Sequence, residues 1–284
     1  MTKLEDLTTK CNPTWCAGCG NFGIWGAFKN AAVEKGWDNT NSVLVAGIGC
    51  HGNFINFIKL TSFEGLHGRA IPVATGIKLA NHKLNVFVFS GDGDCLGEGG
   101  NHLIHGARRN HDLTVLIHNN NFYSLTVGQT SPTAPHGFKT KSTPFGNPDF
   151  PISPITLAIA SGATFVARGF AGDIPKLSEL IIKANQHKGF SVIDVIQPCI
   201  TFNKEFDHKF FQENTYQLEN HDPTNREAAF KKSLEWGIKQ IPLGIFYQEE
   251  KPDYESQVSQ ISEKPLVEIS NIRKNLDDLF RKFL

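Results

Sequence analysis

Residues 90–106 read SGDGDCLGEGGNHLIHG, and the apolar run NVFVFS (85–90) leads straight into them. Asp92 and Asp94 stand there among five glycines in residues 91–100. Two acids in a glycine turn can hold a cation, cap a helix or make a tight turn. Glycines let backbone N–H groups approach an anion, and the helical text NHLIHGARRN (101–110) offers its N-terminus. The next strand, LTVLIHN (113–119), runs into Asn119, Asn120 and Asn121. A strand–helix–strand crossover brings both strand ends to one edge of a sheet, the edge where doubly wound folds bind ligands. Asp92 and Asn120, 28 residues apart, are therefore expected to be neighbours. A carboxylate, an amide oxygen and a backbone carbonyl suit Mg²⁺, which keeps positions for phosphate oxygens. The physical reading is a metal-bridged diphosphate. The competing reading, a strand-to-helix turn with a capping Asp, leaves the asparagine run unexplained.

The pattern outward from this turn sets the fold class. NFGIWGAFKNAAVEKG (21–36), AIPVATGIKLANHK (70–83), PITLAIASG (154–162) and DIPKLSELIIKANQHKG (173–189) read as helices. SVLVAGI (42–48), TFVARG (164–169) and FSVIDVI (190–196) read as continuous apolar strands. Strand and helix alternate at close spacing, which predicts an α/β fold with a doubly wound, mostly parallel sheet covered on both faces. Residues 120–153 hold five of the 14 prolines and are expected to be a long irregular functional loop. The expected division is a ligand-binding domain over 1–200 and a more polar, helical extension over 201–284. Helices are expected there at 225–240 and 270–283, beside a short apolar run, IPLGIFY.

Six cysteines need an account: Cys11, Cys16, Cys19, Cys50, Cys95 and Cys199. Without a secretory context, metal or redox work is favoured over disulfides. TWCAGCGN places Cys16 and Cys19 in a C-x-x-C, which fits half a zinc site, a redox dithiol or a cluster clamp. A thioredoxin-like reading fails because KCNPTW is not a strand and the sheet that follows is too large. Cys50 in GIGCHG and Cys199 in QPC each follow a strand, so both face the edge that carries Asp92. Four thiolates would converge beside the diphosphate site, a set that suits either zinc or an iron–sulfur cluster.

VLVAGIGCHGN also contains a literal G-x-G-x-x-G at Gly47, Gly49 and Gly52. A dinucleotide fold wants a second strand ending in an acid about 20 residues on. TSFEGLHGRA (61–70) is not an apolar strand, and Glu64 is expected in a polar turn. His51 and His67, each followed by glycine, flank the proposed site and can donate to a carboxylate or carbonyl, and Arg69 could serve the same anion.

Composition bounds the rest. The 284 residues are 40% apolar and 20% charged, with zero formal net charge, so there is no bulk attraction to nucleic acid or anionic membrane. The N-terminal text has no apolar leader core, and no run reaches about 18 apolar residues, so a cytoplasmic location is expected.

Gly-Asp-Gly followed by an asparagine pair resembles the metal-and-diphosphate motif of thiamine diphosphate enzymes. The longer text GDGD…GGNHLIHGARRNHDLTVLIHNNNFYSLTVGQTSPT, with LHGRAIPVATGIKLAN (66–81), resembles the β subunit of 2-oxoacid:ferredoxin oxidoreductases over roughly residues 12–200. The resemblance implies Mg²⁺ on Asp92, Asn120 and the Phe122 carbonyl, with Gly93, Asp94, Ser124 and Leu125 along the diphosphate. It implies that Ile48, Gly49, Cys50 and His51 face the thiazolium ring. It also implies a [4Fe–4S] cluster on Cys16, Cys19, Cys50 and Cys199, leaving Cys11 and Cys95 outside the pattern. The implied activity is oxidative decarboxylation of a 2-oxo acid with coenzyme A and ferredoxin, 2-oxoglutarate being favoured over pyruvate, in either direction. The implied partner is an α subunit that carries the pyrimidine-binding domain and the activating Glu. Some relatives carry a basic residue three places after the G-C cysteine, where this sequence has Asn53. A non-redox thiamine diphosphate enzyme and a zinc-stapled binding module are the alternatives.

Overall fold

The computed structural model describes residues 2–235, 240–269, 280 and 281. In chain order its first half contains α1 (Asn21–Lys35), β1 (Ser42–Ala46), α2 (Phe54–Phe57), β2 (Thr61–Glu64), α3 (Ala70–Ala80), β3 (Asn85–Gly91), α4 (Gly100–Arg109) and β4 (Leu113–Asn119). A short hairpin of β5 (Phe122–Tyr123) and β6 (Gln129–Thr130) follows, then α5 (Pro154–Ser161), β7 (Phe165–Phe170), α6 (Ile174–Gln186) and β8 (Phe190–Ile196). The C-terminal part adds α7 (His208–Asn214), β9 (Thr215–Gln217), α8 (Arg226–Ser233) and β10 (Ile241–Gln248).

Eight strands form one sheet in the order β2-β1-β3-β4-β8-β7-β10-β9. Every neighbouring pair is parallel except β7 with β10. The central strands are buried on both faces because alternate side chains enter different layers. In β3, Phe87 and Phe89 join a layer with Phe28 and Ile24 of α1, while Val86 and Val88 join Ala74 of α3 and Leu103 of α4. Local signals set the helix ends. Ser153 caps α5 by accepting from the Thr156 N–H, and Asp173 caps α6 by accepting from Lys176.

Three expectations change. TSFE is a strand, the parallel edge strand β2, and it ends in Glu64 rather than placing that residue in a turn. Its side chains are mostly exposed, so it lacks the apolar signature of the inner strands. The C-terminal part is not simply helical: IPLGIFY forms β10, which enters the main sheet and buries Phe246 in the core. The helix expected over 225–240 covers Arg226–Ser233, and residues 236–239 lie outside the described residues. The helix expected over 270–283 lies almost wholly outside them too.

Parallel order has one consequence for function. The C-terminal ends of β1, β3, β4 and β8 lie side by side, and the turns with Cys50, Asp92, Asn120 and Cys199 follow them. Gly91 pairs with His118, and Asn119 pairs with Ile196, which sets Asp92, Asn120 and Gln197 along one edge.

Candidate active site

A cleft opens beside these strand ends, lined by Ile48–His51, His67, Gly91–Asp94, Asn120, Phe122–Thr126 and Gln197 among others. The glycine turn does not simply precede α4. Gly93–Glu98 is a π-helical turn, a wider coil that carries Asp94 and Cys95 into the interior.

Asp92 is 1% exposed. Its carboxylate accepts from the hydroxyls of Ser131 and Thr133, and the Asn120 N–H also points to it. Burial pushes its pKa up, and these neutral donors offset only part of the shift. A buried carboxylate with no cationic side chain among these donors is an environment that a cation would complete. The asparagine run divides its work. Asn119 donates to Asp194 at 2.9 Å. Asn120 sits on the cleft, with its side-chain oxygen accepting from Phe122 N–H at 3.0 Å. Asn121 turns the chain at φ +66° and ties its amide to Thr133. Asp92, Asn120 and Phe122 thus border the same space, as do Gly93, Ser124 and Leu125.

Asp94 has the opposite surroundings. Its carboxylate accepts from the Gly68 N–H at 2.7 Å, the Ile48 N–H at 3.2 Å and the Ser90 hydroxyl. His67 Nδ1 lies 3.1 Å away and His51 Nε2 lies 3.7 Å away. Burial alone would raise the Asp94 pKa, but His51, Ser90 and the Gly68 N–H outweigh it and hold the carboxyl below the usual carboxylate value. Asp94 therefore links the turns after β1, β2 and β3.

Two glycines make this possible. A side chain at Gly47 would collide with the Asp94 carboxylate. A Cβ at Gly49, where φ is +153°, would meet the His51 ring at 2.6 Å. The first two glycines of the G-x-G-x-x-G run are thus filled by a carboxylate and an imidazole, which leaves no approach for a dinucleotide pyrophosphate. The presence of β2 does not rescue that reading.

His51 is 5% exposed, and its Nε2 lies 3.0 Å from the Gly91 backbone nitrogen, which ties the loop after β1 to the end of β3. His67 is partly exposed at the cleft mouth. Arg69 is not brought into the cleft. Its guanidinium donates to the carbonyls of Glu98, at 2.7 Å, and Gly68.

Cys16, Cys19 and Cys199 lie within electrostatic reach of Cys50. Burial pushes Cys19 up to about 11, with the negative potential of Cys199 and Cys16 adding to it. Cys50 is also pushed to about 11 by burial, then by Cys19, Cys199 and Cys16. The C-x-x-C turn is closed by Cys19 N–H to Cys16 O at 2.9 Å, and Gly20 N–H to Pro198 O fastens it to the end of β8. Trp15 Nε1–H donates to Cys50 O at 2.7 Å, fixing the loop after β1. Cys50 lines the cleft, and Ser124, another lining residue, lies 3.3 Å from Cys199 Sγ. Among the described residues, no three His, Cys, Asp or Glu side chains converge closely enough for a single ion. A tetrahedral zinc–thiolate site would need sulfurs about 3.8 Å apart, given Zn–S bonds of about 2.3 Å. Cys11 is exposed, while Cys95 is buried in the core behind the glycine turn and serves as a small apolar side chain.

Sequence reasoning missed Ser131 and Thr133, which lie in the long loop, and the trio Asn21, His118 and Gln197. The trio lines the cleft floor, each member almost fully buried. His118 Nδ1 is 2.9 Å from Asn21 Oδ1, and burial holds the ring well below its usual pKa, hence neutral. The available signal was position: His118 occupies a buried β4 register and Gln197 directly follows β8.

Comparison with known proteins agrees with this geometry. The family model described as thiamine pyrophosphate enzyme, C-terminal TPP binding domain, matches residues 47–195. The model for the C-terminal part of the pyruvate ferredoxin oxidoreductase β chain matches residues 199–263. The chain is 48% identical to a 2-oxoacid:ferredoxin oxidoreductase subunit beta of Saccharolobus solfataricus, covering 87% of this chain and 86% of that one. It is 42% identical to a 2-oxoglutarate synthase subunit KorB of Archaeoglobus fulgidus, covering 80% and 88%. A solved 2-oxoglutarate:ferredoxin oxidoreductase from Magnetococcus marinus, with 2-oxoglutarate, coenzyme A and succinyl-CoA bound, superposes with a TM-score of 0.90 at 33% identity over 99% of this chain and 96% of that one. No helix among the described residues is long and apolar enough to cross a membrane. A parallel sheet whose adjacent strand ends carry an acid, an asparagine run and two of the cysteines, together with these matches, makes the chain a member of the 2-oxoacid:ferredoxin oxidoreductase β-subunit family.

Proposed function

We propose that this β subunit binds thiamine diphosphate in the cleft through Mg²⁺ on Asp92, Asn120 and the Phe122 carbonyl, and carries a [4Fe–4S] cluster on Cys16, Cys19, Cys50 and Cys199. The reaction is 2-oxo acid plus coenzyme A plus two oxidised ferredoxins giving acyl-CoA, carbon dioxide, two reduced ferredoxins and a proton. 2-Oxoglutarate is favoured, in line with the names of several relatives and the ligands of the Magnetococcus marinus structure. When bound, thiamine diphosphate supplies the electron sink for decarboxylation and the cluster a one-electron path. The observation that carries the reading is Cys50, which borders the cleft of Asp92 and Asn120 and also lies within the electrostatic reach of the other three thiols.

The chain's own work is then positional. Asp92 supplies the charge that neutralises a hard cation, and the glycine turn and Ser124 approach the diphosphate. Asp94 holds the His51 and His67 loops in register, so those rings face the reacting end of the cleft. Leu125 lines the cleft at 53% exposure, and Leu66 and Val127, next in sequence to the lining residues His67 and Thr126, are exposed too, apolar surface suited to the α subunit that would close the site.

The test is iron, acid-labile sulfide and zinc analysis of the anaerobically purified complex with its α subunit, with EPR after dithionite and assay of 2-oxo acids. About four irons and four sulfides per β chain, with thiamine-dependent turnover, is the expected result. Zinc without sulfide would overturn the electron path. Thiamine-dependent decarboxylation without any cluster would mean a non-redox enzyme.

A further inference from the structure

We propose that Gln197 is a positioning residue for the electron path: its side-chain amide donates to Cys19 Sγ and makes the cluster easier to reduce. The inference rests on the cluster assignment above and adds a residue outside the ligand set. Gln197 is 2% exposed, and its Nε2 lies 3.7 Å from Cys19 Sγ, within hydrogen-bond reach of sulfur. Its backbone N–H is bonded to Asn119 O at 2.8 Å, so the residue is held in line with β4. A Cβ on Gly20 would meet Gln197 Cγ at 2.5 Å, so the C-x-x-C turn packs directly on this side chain.

The sense of the amide follows from charge. A thiolate ligand repels an amide oxygen and attracts N–H, so Nε2 belongs on the Cys19 side. Gln197 Oε1 then points towards the cleft floor, where His118, whose ring it helps to hold, and Asn21 Nδ2 are also buried. Gln197 thus spans from a cluster-side sulfur to the floor of the reaction cleft. Reduction adds negative charge that is spread over the sulfurs, and a buried N–H aimed at one of them stabilises the reduced form more than the oxidised form. Removing the donor lowers the potential. A residue that merely fills the wall would leave it unchanged.

The experiment is an EPR-monitored redox titration of the cluster-loaded complex, comparing wild type with Gln197→Met and Gln197→Glu. Gln197→Met keeps length and removes the donor. Its expected effect is about a tenfold less favourable reduction equilibrium, equivalent to about 59 mV at one electron. Gln197→Glu is expected to move the potential further the same way. An unchanged potential at wild-type iron and sulfide content overturns the inference while leaving the cluster assignment intact. Should the variants load poorly, HYSCORE of the reduced wild-type complex with side-chain ¹⁵N-glutamine decides: a ¹⁵N coupling is expected, and its absence overturns the inference. Absence of iron and sulfide in wild type would overturn both readings.

Discussion

Asp92 and Asp94 are two residues apart, almost equally buried, and shifted in opposite directions. Asp92 meets two hydroxyls and two backbone N–H groups, its own and that of Asn120, all neutral, and burial prevails. Asp94 meets two backbone N–H groups, a hydroxyl and two imidazoles, and its ionised form prevails. Burial is therefore not what separates the two carboxylates; the identity of the donors is. Asp94 has spent its capacity on the scaffold, whereas Asp92 retains a demand for positive charge. A short glycine turn can thus hold one acid whose donors favour its charge and one whose donors do not.

The sharpest way to break this comparison is Asp92→Asn. The amide can still accept from Ser131 and Thr133, so the fold should survive. The charge that a metal–diphosphate complex needs is gone. Turnover should fall on the order of 10²–10³-fold, as when a single electrostatic contact to a reacting group is removed. Mg²⁺ with thiamine diphosphate should raise the melting temperature of the wild type but barely that of the variant. Equal ligand stabilisation of both proteins would mean that Asp92 does not hold the cation.

Asp94→Asn should do the reverse, costing stability before anything else. Its amide cannot replace a carboxylate that accepts from Gly68, Ile48 and Ser90 together, and the loss should be about 3 kcal/mol in chemical denaturation. A loss under about 1 kcal/mol would show that the three turns do not depend on this link.

Acid titration sharpens the contrast because the linkage signs differ. The Asp94 pKa is depressed on folding, so its stabilisation is full above the unfolded value of about 3.9 and disappears as pH falls through its lower folded value. The Asp92 pKa is raised on folding, so its penalty is full above that raised value and is relieved as pH falls through it towards the unfolded value. Ligand-free Asp92→Asn should therefore be more stable than wild type at pH 7, and this advantage should shrink on acidification. The deficit of Asp94→Asn should persist until the pH drops below about 3.9. Parallel pH profiles for the two variants would contradict the assigned surroundings.

What could be read from the sequence followed burial. Inner strands such as VFVF and LTVLI are apolar on both faces and announce themselves, and the edge carrying Asp92, Asn120, Cys50 and Cys199 follows from parallel order alone. Thr61–Glu64 escaped because an edge strand faces solvent and needs no apolar run. Ile241–Gln248 escaped because an antiparallel strand arriving late in the chain has no helix-crossover signature. Ser131 and Thr133 were hidden for another reason: the loop that carries them folds back over 39 and 41 residues to reach Asp92, and no local periodicity encodes such a return. Arg69 carried the right chemistry, but its guanidinium is taken by the Glu98 carbonyl.

That returning loop allows the smallest test of the comparison. It leaves Asn120, passes through the β5–β6 hairpin and delivers Ser131 and Thr133 to Asp92, so Asp92 depends on its conformation in a way that Asp94 does not. Val127, in the hairpin turn, has φ +72°, a left-handed conformation that costs a β-branched residue about 1–2 kcal/mol. The neighbouring Thr126 hydroxyl bonds Gln129 and the Gly128 N–H returns to Tyr123 O, so surrounding contacts impose the turn. Val127→Asn, with a residue that tolerates this region, should raise stability by about 1 kcal/mol in denaturant unfolding. It should leave the pH profile of the Asp94 site untouched. If stability instead falls, the exposed valine gains more from apolar contact at the cleft mouth than it loses in backbone strain, and the donors of Asp92 would then be held by that rim rather than by the turn.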